Sequence, residues 1–210
     1  MKQPDVQEFT LSKRLLWAGV VGLIQAIYFP ASQATSGGIA PKLPIDVFPV
    51  LPVWVVPYYL IYAVWAFGAY WALFKLDARS FRALTVAALF TVSVGALTFV
   101  FFPTYIELPV IVGDDLFAVM LRSVQVAGGA YAALPSAHNY ITMLMAAFAM
   151  RLYPRQCLLW IAVVVIVALS TLFTGQHYIL DVVTGLALGW VGYKIGWIFT
   201  STSLRRQGGE

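Results

Sequence analysis

The stretch from residue 175 to residue 196 reads GQHYILDVVTGLALGWVGYKIG and joins an apolar segment to two ionisable side chains near its start. An ionisable side chain at membrane depth costs about 2.5 kcal/mol or more, so His177 and Asp181 are functional candidates. Four residues turn a helix through about 400°, which places both side chains on one face. The carboxylate can then accept a hydrogen bond from one ring nitrogen. The other nitrogen keeps its lone pair as a nucleophile, a base or a metal ligand.

Glycines in the same stretch indicate the direction of this face. Four of them lie within about 80° of the ionisable pair on a helical wheel. They are Gly185, Gly189, Gly192 and Gly196. Small residues let membrane helices approach closely. We therefore expect the stripe to pack inside a bundle and to turn His177 and Asp181 inward.

The composition indicates an all-α integral membrane protein. Hydrophobic residues make up 61% of the chain, charged residues 10%, and the mean hydropathy is +0.83. Ordinary soluble domains have roughly 25% charged residues. With about 20 residues for each spanning helix, residues 1–210 form a single domain of about six spans. The apolar runs predict these spans at 15–30, 53–74, 83–102, 135–150, 157–175 and 178–199.

Ten of the 13 lysines and arginines lie in the termini and in alternate loops. They are Lys2, Lys13, Arg14, Lys75, Arg79, Arg82, Arg151, Arg155, Arg205 and Arg206. By the positive-inside rule these segments and both termini are cytoplasmic in an inner or plasma membrane, and His138 and His177 lie at the extracytoplasmic face. An alternative interpretation takes residues 1–34 as a cleaved secretory signal, which leaves five spans and the same outer location.

Two outer loops have distinct predicted structures. Five prolines between residues 41 and 57 predict an extended loop. In the longer loop, 103–134, the sequence Gly113-Asp114-Asp115 predicts the cap of an interfacial helix with Phe117, Leu121 and Val124 on one face, ended by Gly128-Gly129. This helix either covers the site or gates it. The abundant aromatic residues are expected in the interfacial belts and the core: Trp54, Tyr58, Tyr59, Trp160, Trp190 and Trp197.

The second histidine of the chain follows Pro135 at the start of the fourth predicted span. Proline is favoured at the first helical position, so the amides of Ser136, Ala137 and His138 would lack intrahelical acceptors. Such amides, together with the helix dipole, form an anion site. Both histidines of the chain therefore stand at outer helix starts.

These two segments resemble the motifs of the type 2 phosphatidic acid phosphatase superfamily. Pro135-Ser136-Ala137-His138 is similar to its Pro-Ser-Gly/Leu-His motif, and Ser170-Thr171 with His177 and Asp181 is similar to its Ser-Arg, five residues, His, three residues, Asp motif. The order and the separation of about 39 residues agree. His177-Tyr178 followed by Asp181-Val182 is closer to the inositol phosphorylceramide and sphingomyelin synthase-like branch.

The resemblance implies metal-independent phosphoryl transfer on membrane lipid phosphates, by hydrolysis or by transfer to a second alcohol. His177 would be the nucleophile that forms a phosphohistidine, Asp181 would orient it, and His138 would protonate the leaving oxygen. Ser136 and the amides after Pro135, including that of Ala137, would hold the phosphate oxygens. No cofactor is implied.

The chain departs from these motifs in its cations. The segment Phe101–Pro109 supplies neither the lysine nor the Arg-Pro pair of the first motif, and Thr171 replaces the arginine of the last. Lys42 and Arg122 are the outer cations that remain. We predict Arg122 as the phosphate clamp and Thr171 as a substrate-binding residue; alternatively, Arg122 is a solvated surface arginine.

Three other interpretations remain open at this point. His138, His177 and Asp181 could bind iron or zinc, the chain could bind a lipid phosphate without catalysis, or the histidines could be structural. The single cysteine, Cys157, excludes an intrachain disulfide. No nucleotide motif or basic stripe is present, so ATP and nucleic acid are not expected partners. The sequence does not determine an oligomeric state.

Overall fold

A computed structural model describes residues 9–207, with side chains through residue 201, and this range is helical without strands. Its α-helices are α1 (Leu11–Gln25), α2 (Tyr28–Ser32), α3 (Val55–Phe74), α4 (Ala78–Phe101), α5 (Leu116–Gly128), α6 (Ala137–Leu152), α7 (Cys157–Phe173) and α8 (Ile179–Gln207). Short 3₁₀ turns, Pro52–Trp54 and Pro154–Gln156, lead into α3 and α7. The predicted membrane helical bundle is confirmed.

Five of the six predicted spans are long and apolar enough to cross a bilayer in the described range. They are Leu11–Ser32, Pro52–Phe74, Ala78–Phe101, Pro154–Phe173 and Ile179–Ser201. The other, α6, has 16 residues and carries buried His138, Asn139 and Thr142. It packs against α7 and α8, and ten of its residues are buried. Since α6 packs against both α7 and α8, the polar side chains at its amino-terminal end are buried in the bundle.

The glycine stripe of α8 faces the bundle interior, as predicted. A Cβ on Gly185 would lie 2.6 Å from the Ser136 carbonyl oxygen, and one on Gly189 would lie 2.5 Å from the Tyr140 carbonyl oxygen. Further along α8, a Cβ on Gly192 would clash with the Thr91 side chain, and a Cβ on Gly196 would clash with the Ala83 carbonyl of α4. The first two glycines therefore set α8 against α6 at the end of the helix that carries Asp181.

Arg14, Arg79 and Arg151, which are among the basic residues predicted to be cytoplasmic, lie at the opposite end of the bundle. Arg14 donates to the carbonyls of Ala72 and Leu73, both at 3.1 Å. The guanidinium carbons of Arg79 and Arg151 lie 5.9 and 4.3 Å from the ring centre of Trp197. Lys2 lies outside the described residues, as do the side chains of Arg205 and Arg206. The side of the membrane on which this end lies remains a prediction.

Carboxylates cap two of the helices. Asp77 accepts from the Ser80 amide at 3.0 Å, so α4 begins at Ala78 and not at the predicted residue 83. Burial by itself would raise the pKa of Asp77, but hydrogen bonds from Ser80 outweigh burial and lower that pKa. Asp115 likewise accepts from the amides of Phe117 and Ala118, which confirms the predicted cap of α5.

Helix α5 covers the amino-terminal end of α3. Its buried face consists of Ala118, Leu121 and Val124, and the last two pack on Val55 and Tyr58. Phe117, predicted for this face, is 37% exposed, because Ala118 takes the packed position one residue later. The helix ends at Gly128, and Gly129 has a φ of 69°, as expected for the predicted glycine stop.

Candidate active site

The loop that carries His177 is held by the last turn of α7. The Thr171 carbonyl accepts from the amides of Gln176 and His177 at 3.0 and 3.1 Å. Gly175 makes the turn with a φ of 65°, and a Cβ there would lie 2.7 Å from Pro109. The buried Thr171 hydroxyl donates to the Ala168 carbonyl. Thr171 thus positions His177 through its backbone.

His177 and Asp181 lie side by side as predicted, but not on one helical face, because α8 begins at Ile179 and His177 precedes it. The His177 Nδ1 lies 3.4 Å from the Asp181 Oδ2, and both side chains are buried. Asp181 Oδ2 also accepts from the Tyr178 amide at 2.8 Å, which fixes the carboxylate at the start of α8. The 3.4 Å separation is longer than a usual hydrogen bond, as is common in sites without substrate. Because Nδ1 faces the carboxylate, Nε2 is the nitrogen left for chemistry.

The start of α6 differs in detail from the prediction. The helix begins at Ala137, so Pro135 precedes it and is not its first residue. The Ser136 amide, predicted to be available to an anion, donates to the Asp181 carbonyl at 3.0 Å. This bond joins the two motif segments directly. No group in the described part of the chain accepts from the amides of Ala137 and His138, so these two remain as anion donors.

His138 lies in an aromatic surrounding supplied by α3. Its ring stacks on Trp65 at 5.5 Å between ring centres and lies 4.6 Å from Tyr58. The Tyr62 hydroxyl is 3.3 Å from its Nε2. The ring centres of His138 and His177 are 5.8 Å apart. The structure therefore brings both histidines and Asp181 into one group, and Tyr58, expected as a belt or core residue, contacts this group.

Asn139 belongs to the same group and was not identified from the sequence. Its fully buried amide nitrogen donates to the Ser136 hydroxyl at 3.0 Å and to the Thr171 hydroxyl at 3.3 Å. The signal for it was the presence of a side-chain amide in an apolar span, where polar groups are costly. Asn139 connects the two segments from the α6 side.

Four buried polar atoms in this group have no hydrogen-bond partner among the described residues. They are His138 Nδ1, His177 Nδ1, Asn139 Oδ1 and Asp181 Oδ1. Buried polar groups are nearly always paired, and an unpaired one costs about 1–3 kcal/mol. A concentration of such atoms around two histidines is typical of a site that completes its hydrogen bonds with a ligand.

Each histidine lines a different cavity. His177 lines a polar cavity of about 130 Å³ together with Lys42, Asp46, Glu107 and Tyr178. His138 lines a mainly apolar cavity of about 360 Å³, whose other walls include Tyr28, Tyr58, Tyr59, Tyr62 and Trp65. Val124 and Ala127 of α5 close that second cavity. Ala137, a predicted binding residue, lines it as well.

The proline-rich loop forms one wall of the polar cavity. Asp46 accepts from the Ile179 amide at 2.8 Å, and the Leu51 amide donates to the Phe173 carbonyl at 2.8 Å. Lys42 pairs with Glu107 at 2.6 Å between Nζ and Oε2. The hydrogen bond to Glu107 raises the pKa of Lys42 above its ordinary value, so Lys42 is charged at neutral pH.

The structure does not bring Arg122 to the histidines. Its guanidinium donates to the carbonyls of Ile111 and Gly113 at 3.2 and 2.6 Å and pairs with Asp114 at 3.4 Å. These contacts hold the loop before α5. Lys42 is the cation that shares a cavity with His177.

The described residues contain no group of three His, Cys, Asp or Glu side chains placed to hold a metal ion. The set considered for iron or zinc, His138, His177 and Asp181, therefore does not form such a group in residues 9–201. The only cysteine, Cys157, is at the start of α7, at the other end of that helix from the site.

Comparison with protein families identifies the chain. A model of the PAP2 superfamily matches residues 45–195, which include both histidines, Asn139 and Asp181. The chain therefore belongs to the PAP2 superfamily, whose members are generally phosphatases acting on phosphate esters. No curated protein and no solved structure matches it significantly. Lys42 lies just before the matched region.

Proposed function

We propose that this chain is a metal-independent lipid phosphatase or lipid phosphotransferase that works through a phosphohistidine at the extracytoplasmic face of a membrane. The observation that carries the proposal is the group of four unpartnered buried atoms on His138, His177, Asn139 and Asp181. Two of these atoms belong to the two histidine rings, whose centres are 5.8 Å apart. A phosphoryl group bound beside the two rings can contact both histidines.

In the first step, His177 Nε2 attacks phosphorus and forms a phosphorus–nitrogen bond. The bond from phosphorus to the alcohol oxygen breaks, its electron pair stays on that oxygen, and protonated His138 gives the oxygen a proton. Asp181 faces Nδ1 at 3.4 Å and stabilises the positive charge that develops on the His177 ring. The products of this step are the free alcohol and the phosphohistidine.

In the second step, neutral His138 takes a proton from water or from a second alcohol. The oxygen of that molecule attacks phosphorus, the phosphorus–nitrogen bond breaks, and its electron pair returns to His177. Water yields a free phosphate product, and an alcohol yields a new ester. Phosphoryl transfer depends mainly on positioning and charge stabilisation, which the amides of Ala137 and His138 supply for the non-bridging oxygens.

The test is turnover by purified full-length protein in detergent micelles that contain a lipid phosphate ester. We expect release of the lipid alcohol, unchanged by EDTA, and its loss in His177→Asn, because the histidine and not a metal-bound water is the nucleophile. Turnover that stops in EDTA and returns with zinc or iron would contradict the proposal.

A second candidate function is binding of a lipid phosphate without catalysis. It is favoured by the fact that Lys42, the basic residue lining the cavity beside His177, is already paired with Glu107. The same turnover assay separates the two functions. Saturable binding of the lipid with no alcohol release by the wild-type protein would support the binding function.

A further inference from the structure

The His138 ring is held on one face by Trp65. The two rings stack at 5.5 Å between their centres, with an angle of 29° between their planes. The Trp65 indole nitrogen donates to the Thr142 hydroxyl at 3.3 Å, and that hydroxyl donates to the His138 carbonyl at 2.6 Å. Thr142 on α6 therefore fixes the tryptophan that covers the ring. Hydrogen bonds to the His138 side chain are made at the ring edge, where its two nitrogens lie.

The two nitrogens of His138 have different surroundings. Nε2 lies 3.3 Å from the Tyr62 hydroxyl, whereas Nδ1 is buried and has no hydrogen-bond partner within residues 9–201. Nδ1 is therefore the nitrogen available to a group that binds beside the ring. In His177 the order is reversed, because Nδ1 faces the Asp181 carboxylate and Nε2 is left for chemistry.

The neighbour of each histidine suits the role proposed for that histidine. A carboxylate carries a negative charge and stabilises a ring that becomes positive, as His177 does when it attacks phosphorus. A phenol is neutral and can both donate and accept, so Tyr62 can stay bonded to His138 in either protonation state. His138 must release a proton in the first step and take one up in the second. A neutral partner holds the ring through both steps and favours the charged form less than a carboxylate does.

We infer that Tyr62 is a positioning residue for the phosphoryl transfer. Its hydroxyl oxygen accepts from Nε2–H of His138, which leaves Nδ1 as the nitrogen that exchanges the proton. In the first step the Nδ1 proton moves to the leaving alcohol oxygen, and the neutral ring keeps its other proton on Nε2. In the second step Nδ1 takes the proton of the attacking water or alcohol. Tyr62 itself does not contact the phosphoryl group, and this inference rests on the proposed function.

Tyr62→Phe removes the hydroxyl and keeps the ring. The Tyr62 ring centre lies 5.3 Å from that of Trp65 and 6.4 Å from those of Tyr58 and Tyr59, and phenylalanine can make the same ring contacts. The matched control is Tyr59→Phe. Tyr59 is on the same helix, lines the same cavity and has a similar exposure, 39% against 46% for Tyr62. In the described range its hydroxyl is not a partner of His138.

The test measures the first step alone, by rapid quench of full-length protein in detergent micelles under single-turnover conditions. One substrate is ³²P-labelled dioleoyl phosphatidic acid. The other is ³²P-labelled p-nitrophenyl phosphate, whose phenolate leaves without a proton. We expect Tyr62→Phe to slow labelling of His177 by the saturating lipid about tenfold, because the ring loses a hydrogen bond that supports its charged form. The lipid concentration that gives half the maximal rate should change less than about twofold.

The aryl substrate and the control variant show whether the effect passes through His138. Labelling by p-nitrophenyl phosphate should change less than about twofold in Tyr62→Phe, because His138 is not needed to protonate that leaving group. The same result shows that the variant is folded. Tyr59→Phe should resemble the wild-type protein with both substrates. Equal slowing of Tyr62→Phe on both substrates, or no slowing on the lipid, would overturn the inference and leave the proposed function intact.

A double-variant cycle tests whether Tyr62 acts only through His138. In a His138→Ala background, Tyr62→Phe should change the labelling rate with the lipid less than about twofold, although each single variant lowers it. Additive losses would mean that Tyr62 acts on the substrate itself, and they would overturn the inference. No label on His177 of the wild-type protein with either substrate would overturn the proposed function and this inference together.

Discussion

At the scale of single residues, His138 and His177 are neighbours with different surroundings. His177 has a carboxylate 3.4 Å from its Nδ1. His138 is enclosed by Tyr58 and Trp65, and within residues 9–201 its ring has the Tyr62 hydroxyl as its one hydrogen-bonding partner. A ring beside a carboxylate is stabilised when it becomes positive, which suits the nucleophile. A ring that faces the leaving alcohol suits proton transfer to that alcohol.

This difference predicts an unequal response to the leaving group. His138→Ala should lower turnover of a lipid substrate by about 10²–10⁴-fold, the usual contribution of general acid catalysis. The same variant should lose much less with an aryl phosphate ester, because a phenolate leaves without a proton. Steady-state kinetics on both substrates measure the difference. Equal losses on the two substrates would show that His138 is not the acid.

Lys42 and Arg122 provide a second prediction at this scale. Lys42→Ala should lower kcat/KM about tenfold, and Lys42→Arg should recover part of the loss, because a charge-assisted contact to phosphate is removed and then replaced. Arg122→Ala should change kcat/KM less than about threefold, since its guanidinium binds the loop at Ile111 and Gly113. A loss of two orders of magnitude in Arg122→Ala alone would instead identify Arg122 as the phosphate clamp.

At the scale of elements, the approach of α8 to α6 determines whether the site forms. Gly185 allows the Ser136 carbonyl to come close, and Ser136 in turn donates its amide to the Asp181 carbonyl. A methyl group at position 185 must push α8 away from the start of α6. The distance between the two histidines therefore depends on a residue that has no chemistry of its own.

Gly185→Ala should destabilise the protein by about 1–3 kcal/mol, the usual cost of overpacking, and should also lower turnover. Gly19→Ala is the matched control: it makes the same change inside α1, where nothing lies within 4 Å of the new Cβ. Because alanine favours helix by about 1 kcal/mol over glycine, the control should be neutral or stabilising. Thermal unfolding in detergent compares the two, and a Tm for Gly185→Ala at or above that of Gly19→Ala would be incompatible with this packing.

The elements show where sequence reasoning succeeds. Apolar length and the glycine stripe are local properties, so the spans and the inward face of α8 could be predicted. Helix starts are harder to predict from apolar runs. The capping residue of α4, Asp77, lies outside the apolar run that predicted a start at residue 83. The placement of Asp46 and Lys42 depends on how the proline-rich loop folds back on α7 and α8. That contact joins residues 133 positions apart and has no periodic signal.

In the candidate site, too, local features could be predicted and contacts between distant residues could not. The proximity of His177 to Asp181 could be predicted from their spacing, but the predicted shared helical face was wrong, because His177 lies in the turn before α8. The meeting of Ser136 with Asp181, and of Asn139 with Thr171, depends on packing between helices. A polar residue in an apolar run indicates such a position, but it does not identify the residue that it contacts. Asn139 and Tyr62 were therefore missed for the same physical reason.

At the scale of the whole molecule, the bundle has one basic end and one end that carries the site. Arg79 and Arg151 surround Trp197 at the basic end, and His138 and His177 lie at the starts of α6 and α8 at the other. Basic residues flanking spans favour the cytoplasmic side. The proposed site then faces outward.

Cys157, at the start of α7, should lie on the cytoplasmic side. We expect an impermeant maleimide to leave Cys157 unlabelled in intact cells and to label it after permeabilisation. The control is Val110→Cys in a Cys157→Ser background, at an outer-loop position that is 90% exposed, which should label in intact cells. The reverse labelling pattern would invert the topology and put the histidines inside.

Identifying the residue that accepts the phosphoryl group is the most direct test of the proposed mechanism. Full-length protein is mixed with lipid carrying ³²P at the ester phosphorus, quenched within milliseconds, digested, and mapped for label that is acid-labile and stable to base. The account predicts this label on the peptide that contains His177 and its absence in His177→Asn. Label on the peptide containing His138, or turnover by the wild-type protein with no labelled histidine at all, would contradict it.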